Sequence, residues 1–141
     1  MEMKITDNFD SNEFAQKSRG AIPAKEYPQE WITDRLTPLC QQLEIIRTAL
    51  GSRPITVISG YRSPAYNASI GGAKQSQHME GRAADITVAG LSAAEVHAKI
   101  LDLYNTKQLK IGGLGEYPGF VHVDIRPTPR LVRWSGSRQD S

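Results

Sequence analysis

The sequence predicts an α+β domain in which an antiparallel sheet packs against helices. Three observations carry this. Its 141 residues suit one domain with its own core. Two helical patterns, Trp31 to Leu50 and the stretch opening at Ser92, alternate with short β-branched runs. The strand patterns cluster late, and the last two, around "KIGGLGEY" and "FVHVDI", follow one another directly. Parallel neighbours need a long crossover, usually a helix, so a direct connection argues against a doubly wound parallel sheet.

The first thirty residues read as an irregular arm, rich in turn residues, with Phe9 and Phe14 pinning it to the domain. From Trp31 onward, apolar residues fall at Ile32, Leu36, Leu39, Leu43, Ile46 and Leu50, the spacing of an amphipathic helix. Pro38 interrupts it. Either the helix kinks there, or Thr37 caps a new helix with Pro38 in its first turn. Gly51 ends it. Cys40, the one cysteine, lies in this pattern and reads as a small core residue with no disulfide partner. "PITVIS" (Pro54–Ser59) is a strand. "GYRSPAYNASIGGA" is a loop with one helical turn after Pro64, and "AADITVAG" gives a second strand, Ala83 to Val88. Ser92 and Glu95 form a capping box for a helix whose apolar stripe is Val96, Ile100 and Leu103, with His97 beside it as a surface or boundary residue. Residues 127–141 read as a basic tail.

A net charge of +2 and a pI near 8.8 are too mild to argue for a nucleic-acid partner. The late arginines Arg126, Arg130, Arg133 and Arg138 fit a solvated end. No stretch approaches a membrane span, and "MEMKITDNFDSNEF" holds no apolar run of signal-peptide length. The expectation is a monomer made in the cytoplasm without membrane insertion.

His78 and Asp85 stand seven residues apart in "SQHMEGRAAD", and His122 lies in "GFVHVDIR". Zinc accepts imidazole nitrogen and carboxylate oxygen, and a catalytic site keeps three protein ligands with one open position. His78, Asp85 and His122 can supply that set. Gly81 lets the chain bend back, and Ala83 and Ala84 leave little bulk nearby. His122 and Asp124 share one face of a strand, with Val121, Val123 and Ile125 on the other. Alone, a histidine six residues before an aspartate is a loose pattern that ordinary polar residues also produce.

"SGYRSPAYN", "SQHMEGRAADI" and "GFVHVDIR", in this order and spacing, resemble the zinc D-Ala-D-Ala carboxypeptidase and murein endopeptidase family. VanX-type dipeptidases and some phage endolysins belong to it, and its zinc fold is shared by the hedgehog signalling domain. The resemblance covers nearly the whole chain. It implies one zinc ion held by His78, Asp85 and His122, with peptidoglycan or a muropeptide as partner. It places Arg62 near the substrate, stabilising developing charge or binding a carboxylate, or alternatively in a buried salt bridge that shapes the loop. Ser76 holds the loop or touches substrate. Several relatives carry an acidic general base three residues before the later ligand histidine. Here that residue is Gly119, so the base falls to Asp124 or Glu116, and Asp124 also suits the orienting of a ligand imidazole. The implied activity is zinc-dependent hydrolysis of a peptide bond in stem peptides or cross-links, as carboxypeptidase or endopeptidase. A phage-type lysis enzyme, released by a holin or carried on a virion, would reach the wall without a signal. The alternative is a zinc-binding structural or recognition module of the same fold without catalysis.

Overall fold

The computed structural model describes residues 2–137, and the arm at their start is more regular than its turn-rich sequence predicts. Lys4–Thr6 (β1) and Phe9–Asp10 (β2) pair antiparallel, and Ser11–Phe14 form a 3-10 turn. Phe9 and Phe14 are buried, as their apolar character requires. The arm is pinned further by backbone: the Tyr61 amide donates to Phe14 O at 2.8 Å. Gly60 makes that approach possible, since a Cβ there would lie 2.6 Å from Phe14 Cα.

Pro38 does not break the next helix. A wide π-type turn, Ile32–Leu36, runs straight into Thr37–Ala49 (α1), with Leu36 already helical and no side-chain cap from Thr37. Proline sits in the first turn of α1, with its φ already suited to the helix. Leu36, Leu39, Cys40, Leu43 and Ile46 are buried, and Gly51 follows at φ +79°.

Ile55–Ser59 (β3), Pro64–Ser69 (α2), Ala83–Val88 (β4) and Ala93–Asn105 (α3) follow. The expected capping box opens α3: Glu95 N donates to Ser92 Oγ at 3.1 Å, and Ser92 N to Glu95 Oε1 at 2.9 Å. Gly113–Glu116 (β5), Val121–Asp124 (β6) and Val132–Ser135 (β7) complete a five-stranded sheet in the order β3-β4-β6-β5-β7. The first four strands in that order pair antiparallel, as expected. The β5–β7 pair is parallel, so the sheet is mixed. The basic tail read from 127 onward therefore contains an edge strand. Leu131 packs on the core, and Trp134 reaches over β5, which the arginine-rich composition concealed.

Each central strand alternates. Ala84, Ile86 and Val88 of β4, Leu114 of β5, and Val121 and Val123 of β6 join α1 and α3 in one core cluster. The residues between them face the other side. There the register aligns one row across the sheet: Ser59 opposite Asp85, Asp85 opposite His122, His122 opposite Gly115, and Gly115 opposite Trp134. A second row sets Ala83 and Gly113 on either side of Asp124.

The two glycines of β5 are spaces for their neighbours' side chains. A Cβ on Gly113 would collide with the Asp124 carboxylate, and one on Gly115 would lie 2.7 Å from the Trp134 indole. Gly115→Ala should therefore destabilise the fold by about 1–3 kcal/mol through overpacking. Gly119→Ala, whose Cβ meets nothing within 4 Å, should stay within about 0.5 kcal/mol of the parent. Equal urea midpoints for the two variants would contradict this account.

Candidate metal centre

His78 hangs from the turn that follows α2. Its main chain is tied down by the Gly81 amide donating to His78 O at 3.2 Å and the Met79 amide to Ser76 O at 3.1 Å. Ser76 Oγ accepts from the His78 amide at 3.2 Å, so Ser76 holds the loop as well as lining the cavity beside it. Gly81 adopts φ +69°, and its carbonyl accepts from Tyr27 Oη at 2.6 Å. Tyr27, Trp31 and Tyr61 stand edge-on to one another behind this turn. No local pattern in the sequence pointed to Tyr27, because its partner is 54 residues away.

His78, Asp85 and His122 are brought together and are all buried. His78 Nε2 lies 3.1 Å and His122 Nδ1 3.0 Å from the same oxygen, Asp85 Oδ1. The far side of each ring settles its tautomer. His78 Nδ1 is 2.7 Å from Gly60 O, which can only accept, so Nδ1 carries the proton. His122 Nε2 is 2.7 Å from Asp124 Oδ2, and the carboxylate likewise makes Nε2 the donor. In the neutral rings, two nitrogen lone pairs and one carboxylate oxygen then converge, all within 4.8 Å of one another. Three acceptors facing each other repel unless a cation or a proton lies between them. Imidazole and carboxylate are the donors a divalent ion such as zinc takes, so these residues fit one.

The charges around the site agree. Burial pushes the His78 imidazole below its ordinary value, against the pull of Asp85. Burial also acts to lower His122, but hydrogen bonds to Asp124 and Asp85, with their charges, outweigh it and raise the ring. Burial disfavours charge on Asp85, yet His78 and His122 hold its carboxyl well below the usual range. The Asp124 carboxyl, opposed by burial but held by His122 and Arg126, sits at about 2.

Arg62 is fully buried beneath Asp85. Nη2 donates to Asp85 Oδ2 at 3.3 Å, Nη1 to Asn67 Oδ1 at 3.1 Å and Nε to Ser59 Oγ at 3.0 Å. Of the roles expected for it, the geometry is that of the buried salt bridge. Asp124 turns one oxygen to His122, and both to Arg126 at 2.9 and 2.6 Å. This is the arrangement that orients a ligand imidazole. Glu116 is not brought to the site. It pairs with Val121, shares the helix-facing side of β5 with Leu114, and lies 4.0 Å from His97 of α3. His97 itself is a boundary residue, nearly buried.

A cavity of about 260 Å³ opens over His122, lined also by Ser76, Gln77, Tyr117, Arg126 and Trp134. The Trp134 ring lies 4.9 Å from the His122 ring, and its Nε1 donates to Tyr117 Oη at 2.9 Å. Tyr117 stacks on Phe120 at 4.4 Å. No carboxylate lines this cavity among the described residues. Sequence reasoning missed Tyr117, Arg126 and Trp134. The one available signal was the placing of Gly113 and Gly115 one residue apart, which marks room made for neighbours.

Among known families, the peptidase M15 model matches residues 7–124. The probable peptidoglycan L,D-endopeptidase MepK of Haemophilus influenzae is 40% identical over 107 residues, 70% of this chain and 53% of that protein. Peptidoglycan L,D-endopeptidase MepK of Escherichia coli K12 is 35% identical over 97 residues, 63% of this chain and 50% of that protein. The zinc D-Ala-D-Ala carboxypeptidase of Streptomyces albus G is 49% identical over 45 residues, 32% of this chain and 18% of that protein. The chain thus spans about half the length of the two MepK relatives.

Three outcomes follow for metal binding. Asp124→Asn should weaken affinity for added Zn2+ by about 10- to 100-fold, as loss of an orienting carboxylate does. Glu116→Gln should stay within about twofold; a competitive chelator titration reads both. Because His122 holds its proton above the ordinary histidine range, Zn2+ uptake should release protons and weaken as pH falls. Calorimetry in buffers of different ionisation heat measures that release, and heats independent of buffer would contradict it.

Proposed function

Since the chain belongs to the peptidase M15 family, we propose that it hydrolyses a peptide bond in the stem peptides or cross-links of peptidoglycan, with one zinc ion held by His78, Asp85 and His122. The observation that carries the proposal is the convergence of His78 Nε2, Asp85 Oδ1 and His122 Nδ1, with both imidazole tautomers set from behind by Gly60 O and Asp124. The names of the MepK relatives and of the zinc carboxypeptidase support the substrate class. A phage-type lysis role falls within this reading and draws on the motif resemblance.

Zinc, when bound, supplies Lewis acidity to the scissile carbonyl and to a water nucleophile. The chain's own residues do the rest. Asp124 keeps the His122 ring turned and, in the neutral ring, holds its proton on Nε2 so that the Nδ1 lone pair faces Asp85 and His78. Arg62 balances the buried charge of Asp85 and fixes its second oxygen. Ser76 and Gly81 set the turn that aims His78. The cavity over His122 admits the substrate backbone, with Trp134 and Tyr117 as an aromatic wall.

A second reading, a zinc-binding recognition module without turnover, draws on one observation. Glu116 lies on the opposite sheet face, Asp124 is engaged by His122 and Arg126, and no carboxylate lines the cavity among the described residues.

Zinc-loaded protein should release stem-peptide fragments from defined muropeptides, as read by mass spectrometry, and lose this on chelation. His78→Ala and His122→Ala should each lower the rate by more than about 100-fold, beyond the loss expected for an orienting partner alone. Full activity and full zinc content in both variants would overturn the site. Stoichiometric zinc with no cleavage of any muropeptide would establish the second reading.

A further inference from the structure

The resemblance gave the task of holding a substrate carboxylate to Arg62, but that guanidinium is sealed in, with every nitrogen donating to Ser59, Asn67 or Asp85. The arginine that faces the cavity is Arg126. A guanidinium has two edges, each able to grip a carboxylate through two N–H groups. Asp124 occupies one edge of Arg126, with Nε at 2.9 Å from Oδ1 and Nη2 at 2.6 Å from Oδ2. Nη1, which defines the other edge, has no partner among the described residues. The side chain keeps 23% of its surface exposed, and its guanidinium lies 5.1 Å from the Trp134 ring centre.

Two further features define what this edge can take. The cavity lining among the described residues holds this cation and no carboxylate. Gln77, in the same lining, has a buried Oε1 with no partner among the described residues, an acceptor suited to a peptide N–H. Arg126 and the His122 ring are separated by a single oxygen, Asp124 Oδ2, which both touch at 2.6 and 2.7 Å. Both groups line the same cavity, so a peptide bound over His122 meets the guanidinium.

We propose that the outward edge of Arg126, with Gln77 in the same cavity, is a subsite for a free carboxylate of the peptide bound over His122. It deepens the peptidoglycan peptidase reading and rests on it for the identity of the peptide. The preferred substrate is an anionic peptide, and its carboxamide is a poor one. The Asp124–Arg126 pair then has two functions: it orients His122 inward and presents a cation outward.

The test compares one stem peptide as free acid and as carboxamide, by KM on the zinc-loaded full chain and by calorimetric binding of the corresponding cleavage product in both forms. A charge-assisted pair of hydrogen bonds predicts a preference for the acid of about 10- to 100-fold in both readouts. Arg126→Met should bring the acid-to-amide ratio to near one. Arg126→Lys, which keeps the charge and loses the fork, should lose most of it, and Arg133→Met on β7 should keep the parent ratio. Absolute rates can fall in the Arg126 variants because Asp124 loses a partner, so the ratio is the readout. A ratio near one in the parent protein, or a parent-like ratio in Arg126→Met, overturns the subsite. Failure of the zinc-loaded parent to cleave either peptide would instead sink the peptidase reading, while product binding still decides the subsite.

Discussion

Asp85 carries a negative charge on a central strand, sealed from water, and much of the structure around it answers that constraint. A buried carboxylate is costly unless it is paired and hydrogen-bonded. Its two oxygens divide the work. Oδ1 faces the two imidazoles, and Oδ2 faces Arg62. Arg62 must in turn be satisfied, and this gives the short α2 its place. Ser63 caps α2 by accepting from Tyr66 N at 3.3 Å, and α2 presents Asn67 to Arg62 Nη1. The Ser63 amide donates to Gln16 Oε1 at 2.6 Å, which ties the N-terminal arm into the same network.

From that buried centre a line of paired groups runs outward: Arg62, Asp85, His122, Asp124, Arg126. The line is built by register. Asp85 stands opposite His122, and Asp124, two residues further along β6, returns to the same face. Gly113 leaves room for the Asp124 carboxylate and Gly115 for the Trp134 ring. The two ends of the line are both arginines, yet burial gives them different chemistry. The inner one is consumed by structure, and the outer one keeps an edge for a ligand. Gly119, the position at which the resemblance led one to expect an acidic residue, is uncrowded and flanked by the stacked Tyr117 and Phe120.

Much of this is legible in the sequence. β-branched runs located β3, β4 and β6, the Ser92–Glu95 pair located the start of α3, and the motif resemblance singled out His78, Asp85 and His122, the three residues that the fold brings together. Period two along a single strand was enough to place Asp124 beside His122. These are short-range properties, written in adjacent residues and held by local sterics and hydrogen bonding.

Tertiary structure decided what depends on cross-strand register and on burial. Glu116 and Asp124 were both open as proton acceptors, because composition cannot say which residue of β5 stands opposite His122. The pairing of Gly115 with His122 turns Glu116 to the helix side, toward His97. Arg62 was expected near a substrate or in a buried salt bridge and Arg126 in a solvated end; packing buried the first and left the second at a cavity. The arginine-rich end read as a solvated tail, since the contact that makes Val132–Ser135 a strand is a tryptophan settling over a glycine about twenty residues earlier in the chain. The sequence by itself determined the donor types and the two strands that carry Asp85 and His122. Which charges face the cavity was decided only when non-local pairing and exclusion of water acted together.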